Sequence, residues 1–105
     1  MPKLALDPYI AEVLMRDLVG HDKRPAAFAL YFYLWWRTAS TGTARLRISL
    51  RKLADETGLS KRAIQTNRRL LVRRKLIEVA RAGKTAEPEY KVLSPWIRNR
   101  PASVR

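Results

Sequence analysis

One stretch decides the fold of this chain: Ser49-Leu50-Arg51-Lys52-Leu53-Ala54-Asp55-Glu56-Thr57-Gly58-Leu59-Ser60-Lys61-Arg62-Ala63-Ile64. Ser49 and Ser60 are each suited to begin a helix, because a serine oxygen accepts a free backbone N–H group of the first turn. Gly58 tolerates the left-handed backbone that a short turn demands. The stretch therefore predicts two helices, residues 50–57 and 61–75, joined by a tight turn.

Further helices are predicted before this stretch, and strands on both sides of it. Asp7 and Pro8 are typical of a helix start, with Gly20 as its stop, and Pro25 opens a second helix that runs to about Ser40. Polar and apolar residues alternate over 45–48, which indicates a short strand, and residues 76–81 and 89–93 are predicted to form a hairpin. We expect the short strand to join the hairpin in a three-stranded sheet.

This order of elements resembles the helix–turn–helix of bacterial winged-helix regulators such as the MarR and GntR families, and the N-terminal domains of plasmid and phage replication proteins. The matching features are Leu53-Ala54, Gly58, Leu59-Ser60, Ile64, Leu71 and Leu76-Ile77. The resemblance implies a mainly α fold with a small β-hairpin, a winged helix-turn-helix preceded by two N-terminal helices.

The predicted organisation is a single winged domain over residues 1–97. Its parts are N-terminal helices (1–43), a helix–turn–helix (44–75) and a wing (76–93). Trp96 and Ile97 are expected to pack back on the core, and residues 98–105 to form a basic C-terminal tail.

Charge is distributed unevenly along the chain. The formal net charge is +13, and 17 of the 22 basic residues lie in residues 44–105 with only five acidic ones. Such a field concentrates polyanions, and double-stranded DNA is the partner we expect.

The helix predicted over 61–75 has one apolar and one basic face. Ala63, Ile64, Asn67, Leu70 and Leu71 fall on the side assigned to the core. The opposite side carries Arg62, Gln65, Thr66, Arg69 and Arg73. Arginine pairs with guanine and glutamine with adenine in the major groove, where the start of a recognition helix usually enters. We expect Lys61, Arg62, Gln65 and Thr66 to read bases, and Arg69 and Arg73 to contact phosphates.

Supporting DNA contacts are predicted on the neighbouring elements. The residues concerned are Ser49, Arg51, Lys52 and Ser60 at the helix starts, Arg81 and Lys84 on the wing, and Arg98, Arg100 and Arg105 in the tail. Arg45 and Arg47 have two open interpretations, as further phosphate contacts or as solvated residues of an edge strand.

Several other functions are excluded or disfavoured by the sequence. The chain has no cysteine and one histidine, His21, expected at the surface, so we predict no metal, no cofactor and no catalysis. Gly83-Lys84-Thr85 is not a phosphate-binding loop, since Glu78 stands where the first glycine is required. Asp55 and Glu56 point apart on a helix and are expected to pair with Arg51 or Lys52.

Membrane insertion is not expected either. The longest apolar run, residues 26–36, falls short of the ~20 residues that span a bilayer, and no signal peptide is evident. We expect a cytoplasmic, nucleoid-associated protein.

The aromatic run from Phe28 to Trp36 is too large for one small winged domain to bury. Either a homodimer through residues 8–36 covers the remainder, or the chain's own core does, and the sequence favours neither.

The leading hypothesis is a sequence-preferring double-stranded DNA-binding protein, a transcriptional regulator or a replication-initiation accessory. The alternative is a winged-helix adaptor for protein contacts without a DNA role. RNA binding has weaker support, because only Tyr90 and Trp96 supply aromatic rings in the basic half.

Overall fold

The computed structural model describes residues 5–83 and 86–96. The chain begins with a helical segment in two π-helical parts, Ile10–Leu14 and Arg16–His21. Three helices follow: α1 (Pro25–Thr41), α2 (Leu50–Thr57) and α3 (Lys61–Arg73). The strands are β1 (Arg45–Arg47), β2 (Ile77–Ala80) and β3 (Glu89–Val92). The predicted fold class is confirmed: the molecule is mainly helical, with a small sheet.

The N-terminal segment begins at Asp7, as predicted, but its coil is wider than an α-helix. Asp7 Oδ1 accepts the Tyr9 N–H at 3.0 Å, and the Met15 N–H bonds the Ile10 carbonyl five residues back. The segment runs through Gly20 to His21, so Gly20 is not the predicted stop. Lys23, with φ 57°, takes the left-handed conformation instead.

Helix α1 spans the predicted range and lies at the centre of the core. Pro25 occupies its first turn and Gly42, with φ 74°, ends it. Leu30, Tyr31 and Leu34 are fully buried, and they pack with the buried side chains of the N-terminal segment, Ile10, Leu14 and Leu18.

The helix–turn–helix forms for the local reasons that the sequence indicates. Ser49 Oγ accepts the Lys52 N–H at 3.1 Å, and Ser60 Oγ accepts the Ala63 N–H at 3.0 Å. Gly58 has φ 79°, which a residue with a Cβ rarely adopts. Leu53, Ile64 and Leu71 are fully buried between the helices.

The end of α3 is left-handed without a glycine. Lys75 has φ 61°, and the Leu76 N–H bonds back to the Leu71 carbonyl at 2.9 Å. This closes the last turn and directs Leu76 into the core, where it is 4% exposed. Helix α3 itself ends at Arg73, two residues before the predicted end.

The three strands form one sheet, which confirms the predicted three-stranded sheet, and the structure shows it to be antiparallel with the order β1-β3-β2. Arg47 pairs with Glu89 across β1 and β3, and Ala80 pairs with Glu89 across β2 and β3. The short strand before the helix–turn–helix thus completes the sheet of the wing.

Trp96 packs back on the core, which confirms that prediction, and is 8% exposed. Its ring stacks on Tyr9 with centroids 4.4 Å apart, and its Nε1 donates to Asp7 Oδ2 at 2.9 Å. This contact joins the two ends of the described chain. Ile97 and the tail 98–105 lie outside the described residues.

Candidate nucleic-acid interface

Helix α3 exposes the basic stripe that its sequence predicts. Ile64, Asn67 and Leu71 are buried on one side. The exposed side chains on the other side are Lys61, Arg62, Gln65, Arg69 and Arg73, which we call the α3 stripe. Thr66 is only half-buried and lies at the edge of this stripe rather than within it. Four cations and one amide are therefore open to solvent along one helix face.

Two further residues of α3 serve the fold instead. Asn67 Nδ2 donates to the Ala63 carbonyl at 2.7 Å. Arg68 Nη1 donates to the Tyr90 hydroxyl on β3 at 2.8 Å. This second bond holds α3 against the sheet, and Arg68 is therefore not part of the α3 stripe.

The starts of α2 and α3 carry the remaining helix candidates. Arg51, Lys52 and Ser60 are exposed, while Ser49 is half-buried. Each serine oxygen accepts one backbone N–H as a cap, and its hydroxyl proton remains a donor for a phosphate oxygen.

Three acidic residues of the described chain form ion pairs, and all of their partners are arginines outside the α3 stripe. Glu56 pairs with Arg37 at 2.6 Å, Asp22 with Arg74 at 3.5 Å, and Glu89 faces Arg45 and Arg47 at 3.3 and 3.9 Å. Within residues 5–83 and 86–96, the α3 stripe, Arg51 and Lys52 make no ion pair. The positive charge of this surface is thus left for an outside anion.

The pairing predicted for the adjacent carboxylates is wrong for Glu56. Its carboxylate reaches α1 instead of Arg51 or Lys52, accepting from Arg37 Nη1 and from the Tyr33 hydroxyl. The pKa of Tyr33 is raised above its ordinary value, mainly by burial and secondly by the hydrogen bond to Glu56. The cluster fastens α2 to α1. Asp55, Arg51 and Lys52 make no ion pair within the described residues.

The wing supplies fewer candidates than the helices. Arg81 is exposed just after β2, beside a cavity of about 520 Å³ that Arg47, Glu87 and Glu89 also line. Lys84 lies outside the described residues. Arg45 and Arg47 lie near the Glu89 carboxylate, which the strand register places opposite Arg47, and both arginine side chains remain exposed.

Residues 5–83 and 86–96 contain no group of three or more potential metal ligands, and His21 is exposed. No helix in this part of the chain has the length and hydropathy needed to cross a bilayer.

Comparison with solved structures identifies the fold. The crystal structure of AntR, an antimony-specific transcriptional repressor, superposes with a TM-score of 0.52 at 18% sequence identity, covering 93% of this chain and 78% of that one. At this identity the likeness shows the fold alone, so the chain has a winged-helix fold. No protein-family model and no curated protein sequence matches the chain.

Proposed function

We propose that this protein is a sequence-preferring double-stranded DNA-binding protein whose helix α3 enters the major groove. The observation that carries the proposal is the α3 stripe: exposed cations and an amide, without acidic partners in the described chain, on the second helix of a helix–turn–helix. The arginine and glutamine side chains of this stripe can donate hydrogen bonds to the acceptor atoms of base edges and to phosphate oxygens.

The roles follow from position along α3. Lys61, Arg62 and Gln65 lie in its first turns and are assigned to base edges, with Thr66 at the groove wall. Arg69 and Arg73 lie further along and are assigned to phosphates. The flanking phosphate contacts are assigned to Ser49, Arg51, Lys52 and Ser60, with Arg81 and Lys84 from the wing.

The biological role proposed is control of transcription, or assistance in replication initiation, as in the MarR-like, GntR-like and replication proteins that the motif resembles. The structural likeness to a transcriptional repressor supports the first. Antimony sensing is not included, since the chain has no cysteine thiolate for soft metal ions.

Selection of bound sequences from random duplexes tests the assignment of base readers. We expect the parent protein to recover a sequence motif. Arg62→Ala or Gln65→Ala should each relax one position of that motif and cost about 1–3 kcal/mol on the selected site. The matched control, Lys52→Ala, should weaken all duplexes alike, because a phosphate contact carries no sequence information.

Two results would contradict these roles. If Arg62→Ala and Gln65→Ala discriminate among duplexes as well as the parent does, the readers are elsewhere. If the parent binds no duplex even at low salt, where electrostatic binding is strongest, the alternative of a protein-contact adaptor is favoured.

A homodimer through residues 8–36 is also proposed, with α1 as its centre. Ala29, Phe32 and Trp36 form an exposed, uncharged stripe on α1, and Phe32 and Trp36 are 40% and 41% exposed. They border an open groove of about 440 Å³, which Glu56 and Thr57 of α2 also line. A second copy of the chain is the occupant that we propose for this face. Residues 1–43 carry five basic and four acidic residues, so two copies repel each other less through this part of the chain than through the strongly basic residues 44–105. A two-fold dimer would present two α3 helices to half-sites ~34 Å apart.

Light scattering tests the dimer. We expect a mass near twice 12.1 kDa for the parent and near 12.1 kDa for Trp36→Glu, because the interface would bury the new charge. Val72→Glu is the control, since it adds the same charge at an apolar residue that is 43% exposed on α3. A parent that stays monomeric at every concentration, or a Trp36→Glu variant that still dimerises, would refute this interface.

A further inference from the structure

The solvent-facing side of the sheet carries a compact set of charges. Residues paired directly across antiparallel strands share a face, so the rows Arg45–Lys91–Glu78 and Arg47–Glu89–Ala80 lie side by side. The row between them contains the fully buried Tyr90 and faces the core. Three cations and two carboxylates therefore meet on the outer face.

Glu89 is placed between two of these cations. Its Oε1 lies 3.3 Å from Arg45 Nη1, and its Oε2 lies 3.9 Å from Arg47 Nη2. The side chains of Arg45 and Arg47 are 57% and 68% exposed, against 30% for Glu89. Exposed ion pairs of this kind contribute little to stability, so the fold does not depend on them and either arginine can turn to another anion.

The position of this cluster within the wing points to the kind of anion. Arg47 and Glu89 lie where the hairpin turns, next to the cavity that Arg81 lines from the far strand. The same end of the sheet leads through Ile48 to Ser49, the cap of α2. Phosphates that run along the start of α2 and the wing would therefore pass close to Arg47.

We propose that Arg45 and Arg47 form a second phosphate-backbone site on the sheet, and that Glu89 competes with phosphate for both. This inference rests on the proposed DNA binding, and it adds that Glu89 limits the affinity for DNA. Glu89 lowers affinity for every duplex, because phosphate contacts carry no sequence information. The α3 stripe, which has no such competitor in the described chain, is left to dominate binding.

Glu89→Gln tests this site against a matched control, Glu78→Gln. Both variants remove one negative charge from the same face of the sheet, but only the first releases Arg45 and Arg47. We expect Glu89→Gln to tighten binding to selected and random duplexes equally, and by more than Glu78→Gln does. Two new phosphate contacts should steepen the slope of log affinity against log salt by about 2. The ratio of the duplex affinity of Glu89→Gln to that of Glu78→Gln should then fall about tenfold between about 50 and 200 mM salt.

Adding Arg45→Ala and Arg47→Ala to Glu89→Gln should return the salt slope to that of the parent. Circular dichroism of each variant checks that the fold is retained. Two results would refute the role of Glu89 and leave the proposed function standing, provided that the parent binds DNA. One is a Glu89→Gln variant with the same duplex affinity and salt slope as Glu78→Gln. The other is a salt slope that stays steep after Arg45→Ala and Arg47→Ala are added to Glu89→Gln. If the parent binds no duplex, both fail together.

Discussion

Replacing Arg62 and Arg69 together with glutamate should lower duplex affinity by at least about 100-fold at about 0.1 M salt, because each change removes an attraction and adds a repulsion of phosphate. Both side chains are exposed and unpaired within the described chain, so their reversal acts on the outside anion and not on an internal partner. Electrophoretic mobility shifts over a salt series measure the effect.

The double reversal should leave the fold intact. Glutamate at position 62 lies in the first turn of α3, where a negative charge interacts favourably with the helix dipole. Glutamate at position 69 precedes Arg73 by four residues, the favourable order for an ion pair on a helix. Thermal unfolding of the variant should therefore match that of the parent.

The control for this experiment is Arg16→Glu with Arg24→Glu. These two exposed arginines lie on the N-terminal segment and at the start of α1, and their reversal changes the net charge by the same amount. We expect a much smaller loss of affinity from it, with light scattering confirming that the oligomeric state matches that of the parent, since both residues lie within the proposed dimer region 8–36. Equal losses in the two double variants would mean that net charge, rather than the α3 stripe, determines binding.

The features that were predictable from the sequence are those with a local cause. Ser49, Gly58 and Ser60 act on backbone groups within a few residues, and each does so as their order predicts. The burial of Ile64, Asn67 and Leu71 follows from helical spacing alone. Because the same spacing places Arg62, Gln65 and Arg69 outward, most of the candidate interface could also be identified before the structure.

The features that were not predictable depend on contacts distant in the chain. Glu56 pairs with Arg37, 19 residues earlier, because α2 packs beside α1. Arg68 donates a hydrogen bond to Tyr90, 22 residues later, a contact that helical spacing does not indicate. The contact of Arg45 and Arg47 with Glu89 depends on the register of β1 on β3, which the sequence does not show.

Two backbone departures were also not predictable from the sequence. Lys75 is left-handed although a glycine would adopt that conformation at lower cost. The turn is held by the burial of Leu76 and Ile77, which are 4% and 1% exposed. The π-helical coil of the N-terminal segment likewise has no signature in its sequence, because the buried spacing of Ile10, Leu14 and Leu18 is compatible with an α-helix.

Tyr31→Ala should cost about 3–5 kcal/mol of unfolding free energy, a large share of the ~5–15 kcal/mol typical of small domains. The Tyr31 side chain is fully buried, its ring meets Trp96 edge-on with centroids 6.4 Å apart, and its hydroxyl donates to the Leu93 carbonyl at 2.8 Å. It therefore connects α1 to the end of β3 and to the C-terminal aromatic contact. Urea unfolding followed by circular dichroism measures the loss.

Tyr31→Phe separates the hydroxyl from the ring. It keeps the packing and leaves the Leu93 carbonyl without its donor, which should cost about 1–2 kcal/mol. A loss as large as that of Tyr31→Ala would show that the hydrogen bond, not the ring, holds this junction. A loss near zero would show that water replaces the donor.

Alkaline pH supplies an independent measurement of the same hydroxyl. Burial raises the pKa of Tyr31 well above its ordinary value, so the folded state keeps its proton while the unfolded state loses it near pH ~10. The hydroxyl's contribution is thus complete below pH ~10 and declines as the pH rises towards the folded-state pKa. Between pH ~10 and ~11 the parent should lose about 1 kcal/mol relative to Tyr31→Phe, which has no proton to release there. An unchanged difference between the two proteins over this range would mean that the Tyr31 hydroxyl ionises as readily in the folded chain as in the unfolded one.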